Sequence, residues 1–187
     1  MKKSIRFFLV ITALLITSVQ SYSQGTNQAS NTISLGMPEV LLLKSNTPSI
    51  NLTLSPQEAG QAVEQSKSDS TARILISSVV AGSQTRNLSA SVTNGTVPPG
   101  TFLKVIAMTP NNSFVGTLGS LGAEVELDAT SKNVITGIGT CYSGTAADDG
   151  YVLKYTFGVL TAQGSYELIR ASAGTEVTVT LTLSAGV

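Results

Sequence analysis

Thr175–Ser184 reads TEVTVTLTLS, an unbroken alternation with Val177, Val179, Leu181 and Leu183 in one phase and Thr178, Thr180 and Thr182 in the other. Successive side chains of a β-strand point to opposite sides, so this segment is a strand with one buried and one wet face. The period recurs upstream. Residues 86–93 (RNLSASVT) alternate Leu88, Ala90 and Val92, and residues 123–129 (AEVELDA) set Val125 and Leu127 against Glu124, Glu126 and Asp128. Residues 72–80 (ARILISSVV), 101–108 (TFLKVIAM), 132–140 (KNVITGIGT), 151–160 (YVLKYTFGVL) and 166–170 (YELIR) read as further strands. Met37–Lys44 and Ser49–Leu54 add two at the start, divided by Thr47-Pro48. A run of about ten short strands with turn signals between them predicts an all-β fold with little helix, an antiparallel Greek-key β-sandwich.

The connections carry their own signals. Ser55-Pro56-Gln57-Glu58 has the form of a capping box, which predicts a turn or two of helix as far as about Val63. Residues 65–70 read as a polar loop and residues 109–122 as a Gly/Asn/Ser-rich connection. Asn94-Gly95 marks a turn, and Asp149-Gly150 a hairpin pairing residues 151–160 with 132–140.

The N-terminus has the build of a cleavable signal peptide. Lys2, Lys3 and Arg6 precede an apolar stretch over residues 7–19, and Ser21 and Ser23 suit cleavage before Gln24. The expected organisation is a signal peptide (1–23), a flexible polar arm (24–36) and a single β-sandwich domain (37–187). Export places the chain in the periplasm, on the cell surface or in the medium, with no membrane span once the signal is removed. Beyond residue 23, eight basic residues face eleven acidic ones, a formal charge of −3. No basic cluster interleaved with aromatics is present, so nucleic acid is not an expected partner.

The residue inventory excludes most side-chain chemistry. The 187-residue chain has no histidine, the usual general base and commonest metal ligand. Cys141 is the sole cysteine, so no intrachain disulfide forms, and its expected place is the core. Glu124, Glu126 and Asp128 share a strand face, as a calcium site or an acid–base pair would require; a solvated outer face is the favoured reading. Asp148-Asp149-Gly150 could supply calcium ligands, but reads first as a turn. No catalytic residue, metal site or cofactor is expected. Tyr142, Tyr151, Tyr155 and Tyr166 could stack on sugars, although Tyr151 and Tyr155 share a face with Leu153 and Phe157, which points to core.

Three features give the chain a resemblance to secreted β-sandwich subunits of the spore coat protein U and chaperone–usher pilin type, an immunoglobulin-like or pilin-like architecture. They are the terminal strand with Val177, Val179, Leu181 and Leu183, the glycine Gly174 fourteen residues from the end, and the Gly-containing segment 151–160. Gly186 departs from the pattern, standing where such subunits carry an aromatic, and the disulfide common in that group cannot form. The resemblance implies assembly by strand donation, with Val40 and Leu42, or Leu41 and Leu43, as pocket-filling residues of an N-terminal donor. The residues themselves favour Met37–Lys44 as the first strand of its own domain. The expected function is that of a non-enzymatic secreted or surface-exposed structural or adhesive protein, in one form a fibre or pilus-like subunit assembling through terminal strands; self-association through edge strands and a cell-surface or glycan partner are the candidate interactions. The alternative is a carbohydrate- or other ligand-binding module.

Overall fold

The computed structural model describes residues 28–47, 49–110, 114–172 and 174–186. The expected signal peptide, residues 24–27 of the expected arm, Pro48 and Asn111 lie outside these residues. The chain divides into two units at Gly36/Met37. In the first, residues 28–36 carry no regular structure and are exposed.

The second unit is an all-β sandwich of two antiparallel sheets packed face to face. Its strands are β1 (Val40–Ser45), β2 (Ser66–Val79), β3 (Arg86–Asn94), β4 (Thr101–Met108), β5 (Val115–Gly116), β6 (Ser120–Leu121), β7 (Val125–Glu126), β8 (Lys132–Ile138), β9 (Cys141–Tyr142), β10 (Tyr151–Val159) and β11 (Thr178–Ala185). The smaller sheet runs β11-β3-β8-β6.

The larger sheet is built around β2. Ser77 and Ser78 pair with Leu42 and Leu41 of β1 on one edge and with Tyr142 and Cys141 of β9 on the other. Ile74 pairs with Ser45 of β1 and Tyr151 of β10. Because β1 lies opposite both, β9 and β10 share one edge of β2, forming a single strand line interrupted by residues 143–150. Beyond that line β4 flanks β10 and β5 flanks β9. β7 closes the far side of β4.

That arrangement corrects one expectation. Gly144–Gly150 is not a hairpin; it bulges out of a continuous line, so β10 pairs with β2 and β4 while β8 belongs to the other sheet with β3 and β6. The Asp149 carboxylate folds back to accept the Ala146 amide at 2.7 Å, which stabilises the bulge from within. Gly150 has φ +88° and lies so close to Ile74 O that any Cβ would overlap it.

Other departures follow from pairing overriding local preference. The polar residues 66–70 extend β2, because β10 offers its whole length as a partner. Residues 166–168 form one 3₁₀ turn rather than a strand, and Tyr166 Oη accepts the Val63 amide. The expected helix after Ser55 reduces to a turn with Gln61 N bonded to Glu58 O. Ser55 N donates to Glu64, not to Glu58. Residues 123–129 keep only two paired residues in β7. Residues 50–54 alternate as expected, with Ile50, Leu52 and Leu54 half-buried, but join no ladder.

The core lies between the sheets. Ala72, Ile74, Ile76, Val105, Ala107, Tyr151 and Leu153 meet Leu88, Ala90, Ile135, Ile138 and Leu183 from the opposite sheet. A register shift in β8 turns both Val134 and Ile135 inward. Arg86, only 6% exposed, forms an ion pair with Glu39, fastening the residue before β1 to the start of β3. Its Nε has no partner, so Glu39 supplies the charge compensation. Glu39→Gln should lower unfolding free energy by roughly 1–3 kcal/mol in urea titration, half-exposure of the acid keeping the loss below that of a fully buried pair.

Candidate functional site

Backbone edges and sheet faces, rather than a cleft, are the distinctive surfaces of this sandwich. β5, β6 and β7 are two residues each, while β1 has six and β11 eight. Short edges resist further pairing; long regular ones invite it. Among the described residues β11 pairs only with β3, from Thr178↔Asn94 to Ala185↔Arg86; β1 comes near it without forming a ladder. Thr178–Ala185 contains no proline and no charge.

The alternation of β11 is realised in space. Leu183 is buried, Val179 and Leu181 are half-buried against the core, and Thr178, Thr180, Thr182 and Ser184 are exposed. Val177 is half-buried just before the strand. The outward hydroxyls form cross-strand contacts, such as Thr93 Oγ1 to Thr180 Oγ1 at 2.7 Å. Gly95, at φ +78° in the turn after β3, lies against Glu176 O with no room for a Cβ. Gly174 has φ +121° in open space, and Gly186 packs on Thr85 where a side chain would overlap Oγ1.

In β1, Val40 pairs with Val79 and Leu42 with Ser77, on the outer face; Leu42 is 63% exposed. Leu43 turns inward and packs against the core, while Leu41 is inward-facing but remains exposed near the rim.

The titratable residues fall apart into structural and solvated roles. Glu124, Glu126 and Asp128 are all exposed. Lys104 Nζ lies 4.0 Å from Glu124, and Lys132 Nζ lies 2.7 Å from Asp128. The Lys132 hydrogen bond, aided by the Thr130 amide, holds the Asp128 carboxyl below its ordinary value. Among the described residues no group of three acids or cysteines could hold a metal ion. A shallow cavity of about 420 Å³ is lined by Gln57, Gln61, Ala62, Val63, Glu64 and Gln65.

Cys141 is buried on the inner face, and that burial pushes its thiol up. Tyr151 and Tyr155 are core residues, as their spacing indicated. Tyr151 donates its hydroxyl to Leu118 O and meets Phe114 edge-on at 5.4 Å between ring centres. Tyr142 and Tyr166 are about half-exposed. The chain has no match among family models, curated proteins or solved structures.

Burial raises the phenol of Tyr155 to about 12 and that of Tyr151 further. The folded state holds these groups protonated, so their contribution is complete below the ordinary thiol and phenol values. It is lost as pH rises through the folded-state values. The native protein should leave Cys141 unmodified by a thiol reagent at neutral pH. Above about pH 10 urea midpoints should fall, with the buried tyrosinate absorbance appearing only as the fold is lost.

Proposed function

We propose that this chain is a non-enzymatic, exported structural or adhesive subunit that associates with other copies through its long edge strands. The observation that carries the reading is β11, an eight-residue edge strand without charge or proline that, among the described residues, joins no ladder on its side away from β3. An open edge leaves backbone donors and acceptors unpaired, and an incoming strand satisfies them. The half-buried Val179 and Leu181 give that strand apolar surface to cover.

The chain itself supplies a strand of matching chemistry. Ile33, Leu35 and Met37 alternate with small or polar residues and are 76%, 90% and 81% exposed. Residues 28–38 carry no charge. Within β1, Val40 and Leu42 stand next to an open edge as well, although their own ladder to β2 is made. The non-enzymatic part rests on the missing histidine and on the solvated, lysine-paired carboxylates. A second reading, a carbohydrate-binding module, is supported by the half-exposed ring of Tyr142 on a sheet face.

Light scattering behind a sizing column tests the first reading. The mature chain should form concentration-dependent oligomers, and Thr180→Lys/Thr182→Lys, which places two cations on exposed positions of the edge strand, should return it to monomer. A wild-type protein that stays monomeric at every concentration, or oligomers indifferent to the lysines, overturns it.

A further inference from the structure

The outer face of the larger sheet gathers cations that are far apart in sequence. Antiparallel partners point to the same side, and alternate residues of a strand share a face. Ile74, Ile76, Leu153 and Val105 point into the core, so Arg73, Leu75, Val152, Lys154, Lys104 and Ile106 face outward. The register then reads diagonally: Lys44 of β1 opposite Leu75, Arg73 of β2 opposite Val152, Lys154 of β10 opposite Ile106, and Lys104 two residues before Ile106 on β4. Each of four neighbouring strands contributes one cation. Consecutive cations are diagonal neighbours, about 7–8 Å apart at the backbone.

These four are half of the eight basic residues beyond residue 23. Elsewhere Lys67, Arg86 and Lys132 each have an acidic partner. On the diagonal, among the described residues, Lys44, Arg73 and Lys154 have none. Arg73 donates Nη1 to the Ser70 and Ala72 carbonyls, and its buried Nε has no acceptor. Lys104 lies 4.0 Å from Glu124 and 4.6 Å from the centre of the Phe102 ring. The acids facing this side, Glu124 and Glu126, stand at its β7 margin. An acidic chain therefore leaves three of the four cations on this line without an acidic partner, the fourth, Lys104, being paired at the margin.

We propose that this face binds a linear acidic polysaccharide, its carboxylates meeting Lys44, Arg73, Lys154 and Lys104 in turn. A line of single cations matches a chain with regularly spaced charges. Tyr142, paired with Ser77 and 54% exposed on the same face, offers a ring for a sugar to stack on. Between the cations the outward Leu75 and Val152 are only 9% and 4% exposed, so the line itself presents no apolar surface for a lipid bilayer to take up; the exposed Leu42 and Val115 stand in the row of Tyr142 instead. Single-stranded nucleic acid is bound through successive aromatic platforms, and the two rings on this face, Tyr142 on β9 and Phe102 on β4, stand on different strands rather than in succession. The inference concerns the sheet face and goes beyond edge-strand assembly.

The test is calorimetry of the mature protein with polygalacturonate, with dextran as the neutral polymer. Uronate binding should weaken steeply with added salt, and dextran should not bind comparably. Lys44→Ala and Lys154→Ala should each weaken it about threefold, and Tyr142→Ala should weaken it without changing the salt dependence. Lys132→Ala, whose ammonium is held by Asp128, should bind as wild type. Lysine variants that keep the oligomer size of the wild type separate this face from the edges. Absence of uronate binding, equal loss in Lys132→Ala, or preference for single-stranded DNA or anionic phosphatidylglycerol vesicles overturns the proposal.

Discussion

The ladder on both sides of β2 is the constraint on which the rest of the molecule depends. Its fourteen residues pair with β1 on one edge and with the β9–β10 line on the other. Register on β2 decides which side chains enter the core. A slip of one residue would turn Ala72, Ile74 and Ile76 to the surface and drive Arg73 inward, so the pattern of side chains fixes the pairing. The same register lines up cations on the outer face. Core packing and surface electrostatics are two readings of one alignment.

From that spine the sandwich grows less closed toward its edges. The inward residues Ala72, Ile74 and Ile76 of β2 and Tyr151 and Leu153 of β10 are nearly inaccessible, whereas Val179 and Leu181 of β11 remain half-buried. Burial near the edge is thus incomplete where backbone groups are also unpaired, which is the combination that strand addition satisfies. β5, β6 and β7 end the sheets in two-residue steps and offer no comparable template. The proposed association concentrates on the long edges for this reason.

Period-2 alternation made the sandwich legible in the sequence, because β3 and β11 each show one apolar phase with little noise. The Tyr151/Tyr155 pair was legible for the same reason, as members of a buried phase, and the burial of Cys141 from its being the sole cysteine. Partner choice was not. Asp149-Gly150 has the local chemistry of a hairpin, yet Asp149 bonds back to Ala146 and the chain rejoins the same edge of β2. Residues 66–70 have loop composition and become strand because β10 is there to pair with them. The cation diagonal combines residues 44, 73, 104 and 154, a grouping that only register creates. Local sequence encodes which face is wet; long-range pairing decides what stands beside it.

Hydrogen exchange at the β11 amides, followed in dilute and concentrated solutions of the mature chain, tests the central claim most directly. β2 and β10 amides should exchange at the same slow rate in both, since their ladders are internal. The β11 amides not bonded to β3 should slow markedly in the concentrated sample, because an incoming strand takes them up. Equal, fast exchange of those amides in both solutions would contradict the account.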